Sequence, residues 1–358
     1  MKIKVIISVS ILMITMSCNN VKNTSKCQVY NTFIEDEDHS YEYMFTSEDK
    51  LYLIGSYREN YKDAYANSLF IKTTNRGLEN EWTDIVTKIS GKCSVVAQTS
   101  DYIYIISMEY LTEKFNPEFS KHKLYRISKE NTQIEELYEW DKGNSFMRDI
   151  YFDSDEMGYV FFRPSGNPLD YQLLKTENGG KEWSIIGLNR PINKTHKSKE
   201  KLFFLSYKNN LKKDWIYSIN KDNNILDSIH FDLNITDFSV GENGDYWLLG
   251  KEENKTVLQR YENDKTTDVY TFSDDTAISP NQLYKYNELI VVLASQIDEN
   301  MLGGFGGTIP LIFVSKDKGL TWDNNRHDEA LYLKPISFYE DKQMTAYIGN
   351  GKFIICEF

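Results

Sequence analysis

The 358-residue chain is poor in the residues that most often carry catalysis, bind metals or hold nucleic acid. Its five histidines, His39, His122, His196, His230 and His327, are far apart with no paired spacing, and no Cys-x-x-Cys occurs. Neither a metal site nor any other cofactor is therefore expected. No Gly-x-Ser-x-Gly elbow is present. The glycine-rich stretch from Met301 to Gly307 is not followed by Lys-Ser/Thr, so it reads as a hairpin loop and not as a phosphate cradle. Positive charge is in deficit: 41 Lys and Arg face 53 Asp and Glu, and the formal charge of -12 repels phosphate backbones, which excludes nucleic acid as a natural partner. The N-terminal apolar stretch, Val5 to Met16, falls well short of the roughly 20 residues a membrane-spanning helix needs.

What is present at that end reads as an export signal. Lys2 and Lys4 precede the apolar stretch, which closes on Thr15-Met16-Ser17-Cys18. A small residue directly before Cys18 resembles the bacterial lipobox, although Thr15 stands where that pattern usually has Leu. The resemblance implies cleavage before Cys18 and acylation of its thiol, giving a signal peptide over 1–17, a polar tether over 18–27 and a mature domain over 28–358. The expected location is the bacterial cell envelope, on a membrane, facing either the periplasm or the cell surface. Export also permits a disulfide among the remaining cysteines, Cys27, Cys93 and Cys356.

Aromatic residues make up 14% of the chain, a share that suits half-buried strands. Short β-rich runs recur at Lys50 to Tyr57, Asp101 to Met108, Met157 to Arg163, Lys201 to Lys208, Gly244 to Lys251, Asn287 to Ser295 and Met344 to Asn350. Spacings of this size suit four-stranded propeller blades with variable loops. Behind each of the first six runs comes a second hairpin. The pattern predicts an all-β protein, a β-propeller of seven blades with four antiparallel strands each, with a six-bladed ring as the alternative. The last unit stops at its third strand, Lys352 to Phe358, and the N-terminal run Gln28 to Ile34 is free to supply the fourth and close the ring. That arrangement sets Cys27 beside Cys356, the pairing expected if a disulfide forms; three free thiols are the alternative.

Three of the second hairpins turn through one octapeptide frame. Ser315-Lys316-Asp317-Lys318-Gly319-Leu320-Thr321-Trp322 has Ser, Asp, Gly and Trp at positions 1, 3, 5 and 8. Thr176, Asn178, Gly180 and Trp183 repeat it with Thr for Ser and Asn for Asp, and Thr73, Asn75 and Gly77 keep it but reach Trp82 two residues late. An Asp or Asn can cap a tight turn, a Gly can take positive φ, and the Trp can pack back onto the hairpin. The frame resembles the Asp-box of the sialidase-like (BNR-repeat) β-propellers. In that family the box lies opposite the active site, so the resemblance bears on fold more than on chemistry.

Sialidases of this kind clamp a carboxylate with three arginines and use a Tyr with a Glu, plus an Asp as acid/base, after an early Arg-Ile-Pro. This chain has eight arginines, and its nearest echo, Phe162-Arg163-Pro164, lacks the Ile and lies in the third repeat. The catalytic set does not transfer, and no catalytic residue is assigned. The face opposite the boxes is expected to display Arg58, Tyr65, Tyr110, Arg163, Tyr171, Trp215 and Asp298, with Arg190 and Arg326 near them. Arginines and aromatics in loops suit recognition of a protein or a glycan. The expected function is therefore a non-catalytic, membrane-anchored binding or scaffolding lipoprotein, acting as a monomer. A sialidase-like glycoside hydrolase is the alternative.

Overall fold

A computed structural model of the chain describes residues 26–31, 39–47, 50–60, 63–75, 82–110, 120–140, 145–164, 171–207, 214–253, 255–272, 278–298, 307–326, 334–339, 343–349 and 352–357. They form 28 strands in seven antiparallel sheets of four. Strand β1 (Lys26–Asn31) comes first, two residues inside the expected tether. Sheet 1 is β2 (His39–Ser47), β3 (Lys50–Asn60), β4 (Asp63–Asn75) and β5 (Thr83–Ser90). Sheet 2 is β6 (Lys92–Gln98), β7 (Tyr102–Tyr110), β8 (Ser120–Ser128) and β9 (Ile134–Trp140). Sheet 3 follows with β10 (Phe146–Phe152), β11 (Gly158–Arg163), β12 (Tyr171–Thr176) and β13 (Ser184–Arg190). Then comes sheet 4, β14 (Lys194–Lys197), β15 (Lys201–Tyr207), β16 (Asp214–Asn220) and β17 (Leu226–Phe231). Strands β18 (Asn234–Val240), β19 (Tyr246–Glu252), β20 (Lys255–Glu262) and β21 (Lys265–Thr271) make sheet 5. Sheet 6 holds β22 (Ile278–Tyr286), β23 (Leu289–Asp298), β24 (Gly307–Ser315) and β25 (Asp323–Arg326). Sheet 7 is β26 (Lys334–Tyr339), β27 (Gln343–Gly349) and β28 (Lys352–Glu357), with β1 in fourth place beside β28.

The second strand of a sheet is covered on both sides, which is why its sequence reads as a nearly unbroken apolar run. Leu51 to Ser56, Ile103 to Ser107 and Leu202 to Ser206 are buried at every position. Each Leu or Ile hidden this way contributes on the order of 1.5–3 kcal/mol. Fourth strands are the wet edge: in β21, Lys265 to Asp268 are all exposed. Apolar clusters join sheet 1 to 2, 2 to 3, 3 to 4, 4 to 5, 5 to 6, and 7 to 1. The first strands of neighbouring sheets touch, as β2 does β26, β6 does β10 and β18 does β22.

The octapeptide turns share one hydrogen-bond pattern. The Gly180 and Gly319 amides donate to Thr176 Oγ1 and Ser315 Oγ (2.9 and 2.7 Å), and the Trp183 and Trp322 indoles donate to the Gly180 and Gly319 carbonyls (3.1 and 3.0 Å). Both glycines have positive φ, 95° and 91°. An added Cβ would meet Leu124 at 2.6 Å and Val269 at 2.2 Å, side chains of the preceding sheets. The tryptophans do more than pack back onto their own hairpins: Trp183 lies 5.8 Å from Trp140, and Trp322 lies 4.9 Å from Tyr270, both on the preceding sheet. The turns are therefore plugs between sheets. In the first frame, Trp82 is partly buried against the cluster that joins sheets 7 and 1, and Asn75 is exposed. Gly77 lies outside the described residues.

Sheets 2 and 4 lack the octapeptide and use a lysine for the same purpose. The Lys129 ammonium donates to Ser47 Oγ of sheet 1 and to Gln98 Oε1 and the Thr99 carbonyl. Lys221, only 6% exposed, donates to Asp153 of sheet 3 and to the Ser198 and Lys199 carbonyls.

Candidate functional site

Antiparallel order gives every sheet two ends. The octapeptides lie at one, with the turns from first to second and third to fourth strands. At the opposite end are the turns from second to third strands and the links between sheets. Arg163 closes β11, Tyr171 opens β12, Arg190 closes β13 and Trp215 is the second residue of β16, so all four lie at the opposite end. Tyr110 and Asp298 close β7 and β23 there, Tyr65 falls near the start of β4, and the side chains of these three lie outside the described residues. Arg58 is exposed on sheet 1 and Arg326 closes β25 on sheet 6, so neither joins the other two arginines.

Sheets 3 and 4 bring the rest together. The Arg163 guanidinium carbon sits 4.0 Å above the Phe146 ring and 5.7 Å from that of Tyr171. Tyr171 is in register with Arg190 on the next strand. Arg190 reaches across to sheet 4, where its guanidinium carbon lies 4.3 Å over the Tyr217 ring and Nη1 donates to Tyr217 Oη. Tyr217 stacks on Phe204 (5.2 Å, 10°) and on Trp215 (6.3 Å), and Trp215 meets His230 at 5.0 Å. Each guanidinium gains about 0.5–1 kcal/mol from its ring, and the ring holds it flat without using up all five N–H donors. Two strand spacings, about 10 Å, separate the backbones that carry the two arginines.

Other arginines are held differently. Arg126 pairs with Glu135, and Arg260 pairs with Asp245 (2.8 Å) and Glu262 (3.0 Å), both near the octapeptide end. Among the described residues no carboxylate pairs with Arg190, whose Nη1 donates to Tyr217 Oη.

The inner strands carry a second polar system. Six of the seven first strands bulge at one place, the register skipping from Tyr41 to Tyr43, Cys93 to Val95, Met147 to Asp149, Ile235 to Asp237, Pro280 to Gln282 and Pro335 to Ser337. A bulge re-aims the side chain that follows it. In sheet 3 that side chain is Asp149, which accepts from the Ile150 amide (2.9 Å), Tyr151 Oη (2.8 Å) and Thr195 Oγ1 of sheet 4. In sheet 5 it is Asp237, which accepts from the Phe238 amide (3.0 Å) and the Leu283 amide of sheet 6 (2.9 Å). Tyr43 Oη donates to the Ser94 carbonyl of sheet 2 in the same way. These are stitches between sheets. Tyr151 beside Asp149 superficially suits a nucleophilic pair, but burial and then the Asp149 charge push the phenol well above 10, so it stays a hydrogen-bond donor. Burial raises Asp149 as well, against the pull of its three donors.

Two cavities, of about 560 and 290 Å³, open at the octapeptide end. Asp153, on the wall of the first, pairs with Lys221 (2.9 Å) and Lys197 (3.5 Å). In the second, Asp245 takes the Trp247 indole and Arg260 (2.8 Å each).

Cys356 is disulfide-bonded and fully buried, and its register partner on β1 is Cys27; Cys93 is a buried thiol outside any disulfide. Cys18 lies outside the described residues.

The sheets, their order and their inter-sheet packing define a β-propeller protein, and the solved structures it resembles are propellers. The chain has a TM-score of 0.62 and 9% identity to YCF48 bound to a D1 peptide, over 93% of this chain and 97% of that one. It scores 0.59 at 12% identity with an oligogalacturonate lyase from Vibrio parahaemolyticus, over 93% and 97% of the two chains. Against the β-propeller domain of the Trilobed protease from Pyrococcus furiosus, which has an open velcro topology, it scores 0.56 at 12% identity, over 87% and 89%. At such identities the likeness is one of fold. By sequence, the chain matches no family model and no curated protein.

Proposed function

We propose that the seven sheets are the blades of one closed ring, completed by β1, and that the chain is a non-catalytic binding lipoprotein of the bacterial envelope. It is anchored through acylated Cys18 and recognises a protein or glycan through the end opposite the octapeptides. The observation that carries this reading is Arg190, seated on Tyr217 with no carboxylate partner among the described residues. A rigid ring presenting arginines on aromatic seats is a surface made for recognition, since such residues dominate binding hot spots. The peptide held by YCF48, a propeller of similar fold, is in keeping with it.

The test is capture from envelope extract with the full chain, wild type and Arg190→Met. A stoichiometric partner that is retained by the wild type and lost by the variant is expected. Capture of no partner would refute the reading. The alternative, a sialidase-like glycoside hydrolase, draws on the octapeptide turns and the Tyr151–Asp149 contact, but a phenol pushed upward is the reverse of an activated nucleophile. Turnover of sialylated or other glycans by the purified chain would establish it.

A further inference from the structure

We infer that the octapeptide end of the propeller rests on the membrane, with exposed aliphatic side chains touching the lipid, so that the arginine-bearing end looks away from the bilayer. The inference depends on the anchoring through Cys18 proposed above, and on two observations independent of it.

The first is the direction in which the chain enters the fold. Lys26, the first residue of β1, pairs with Glu357 at the end of β28, and Asn31 pairs with Lys352 at its start. The end of β28 is the octapeptide end of sheet 7, so the N-terminal segment joins the fold there. Cys18 precedes Lys26 by eight residues. Even fully extended, they span no more than about 29 Å. An acyl group on Cys18 would thus keep the octapeptide end near the lipid, while an inverted molecule would have to run its tether back along the height of a blade.

The second is where the exposed apolar side chains lie. Of the eight large hydrophobic residues exposed among those described, six are at the octapeptide end: Ile134, Ile185, Ile225, Leu226, Tyr286 and Leu320. Leu320, at the tip of an octapeptide, is 84% exposed, and Ile185 and Ile225 are 63% and 62% exposed. None of these three contributes to the buried core, so folding does not explain them. Their distribution selects the occupant. Sheets 2, 3, 4 and 6 contribute to the set, and residues spread along a rim do not make the contiguous apolar patch that a protein interface buries at its centre. A lipid surface can take up separate apolar side chains without a contiguous patch. An acidic chain of net charge -12 gains nothing from anionic headgroups, so the contact is apolar and shallow.

The experiment uses the lipidated full chain in phosphatidylcholine vesicles, with an environment-sensitive fluorophore on a single introduced thiol. Leu320→Cys and Ile225→Cys report the octapeptide end, and Ile297→Cys, at the opposite end and 53% exposed as Ile, is the control. Cys93 is buried and Cys356 is bonded, so the label goes to the new thiol. Lipids carrying a nitroxide near the headgroup should quench the labels at positions 320 and 225 at least about twofold more than the label at 297, as expected for side chains that reach only the headgroup boundary. Equal quenching at both ends, or stronger quenching at 297, overturns the orientation. The mass of the N-terminal peptide separates the two ways to fail. Acylated Cys18 with an unquenched label at 320 refutes the orientation and leaves the anchor standing, whereas unacylated Cys18 refutes both.

Discussion

Replacing Cys356 or Cys27 with alanine should remove the covalent clasp between the first and last strands. Cys356 is disulfide-bonded and fully buried, and β1 sets Cys27 opposite it in register. A bond between them closes a loop of about 330 residues, nearly the whole domain. By the chain-entropy relation such a loop restrains the unfolded chain by about 6 kcal/mol at 25 °C, above the roughly 0–5 kcal/mol that single disulfides deliver. The assay is urea unfolding of the full chain, oxidised and reduced. Cys356→Ala, Cys27→Ala and the reduced wild type should fall to a common lower midpoint, and the double variant should fall no further, because either substitution alone removes the one bond. Cys18→Ala should leave the oxidised midpoint where it is. Additive losses in the double variant, or a loss with Cys18→Ala equal to that with Cys356→Ala, would refute the pairing. In the second case Cys18 would be the partner, and its thiol would no longer be available to a lipid.

Two further expectations concern stability. His122 is 1% exposed and shares a 3.1 Å contact with Ser145, and burial lowers its pKa to about 4. Because the folded pKa lies below the unfolded one, its neutral form contributes stability that is complete above about pH 6.5 and lost as pH falls toward 4, on the order of 3 kcal/mol in all. The melting temperature should fall less steeply across that window in His122→Gln than in the wild type, in which His196, also lowered to about 4 by burial, acts in the same sense and Asp149 and Asp237, both raised by burial, act in the opposite one; equal slopes in wild type and variant would contradict the assignment. At the octapeptide, Asp317 accepts from the Thr321 amide (2.9 Å) as Asn178 does from that of Glu182 (2.9 Å). Asp317→Ala should therefore cost about 1–2 kcal/mol in denaturant unfolding and Asp317→Asn less than half as much, and equal losses would mean that charge, and not the shared cap, is what matters.

What could be seen in advance depended on whether a feature is local in sequence. The second strands are covered on both sides, so each leaves an apolar run such as Leu51 to Ile54 that needs no knowledge of its neighbours. The octapeptide is equally local, with Ser315, Asp317, Gly319 and Trp322 satisfying one another within a single turn. Its partnership with the sheet before it is not local, and the packing of Trp322 on Tyr270 gave no sign in the sequence. Lys129 and Lys221 are harder still, since a lysine in a polar turn looks like any solvated lysine until the carbonyls and Asp153 around it are placed. Asp149 and Asp237 owe their place to bulges, each preceding the residue paired with the middle of its second strand, Ile150 with Val160 and Phe238 with Leu248. A bulge is a matter of register, and register cannot be read from one strand alone.

The arginine site shows the same limit at the level of function. Arg163, Tyr171 and Trp215 stood out singly as loop-end residues, but what makes them a surface is Arg190 crossing from sheet 3 to Tyr217 on sheet 4, a contact spanning 27 residues and two sheets. Tyr217 reads in sequence as an ordinary strand aromatic. In the fold it is the seat that holds a guanidinium flat at the rim. Repeats encode the packed sheets because each unit solves the same packing problem against its neighbour, whereas the binding surface proposed above would be assembled from the places where neighbouring units differ. If the proposed recognition holds, it should therefore follow pairs like Arg190 and Tyr217, each member on a different sheet, more closely than any motif the sheets share.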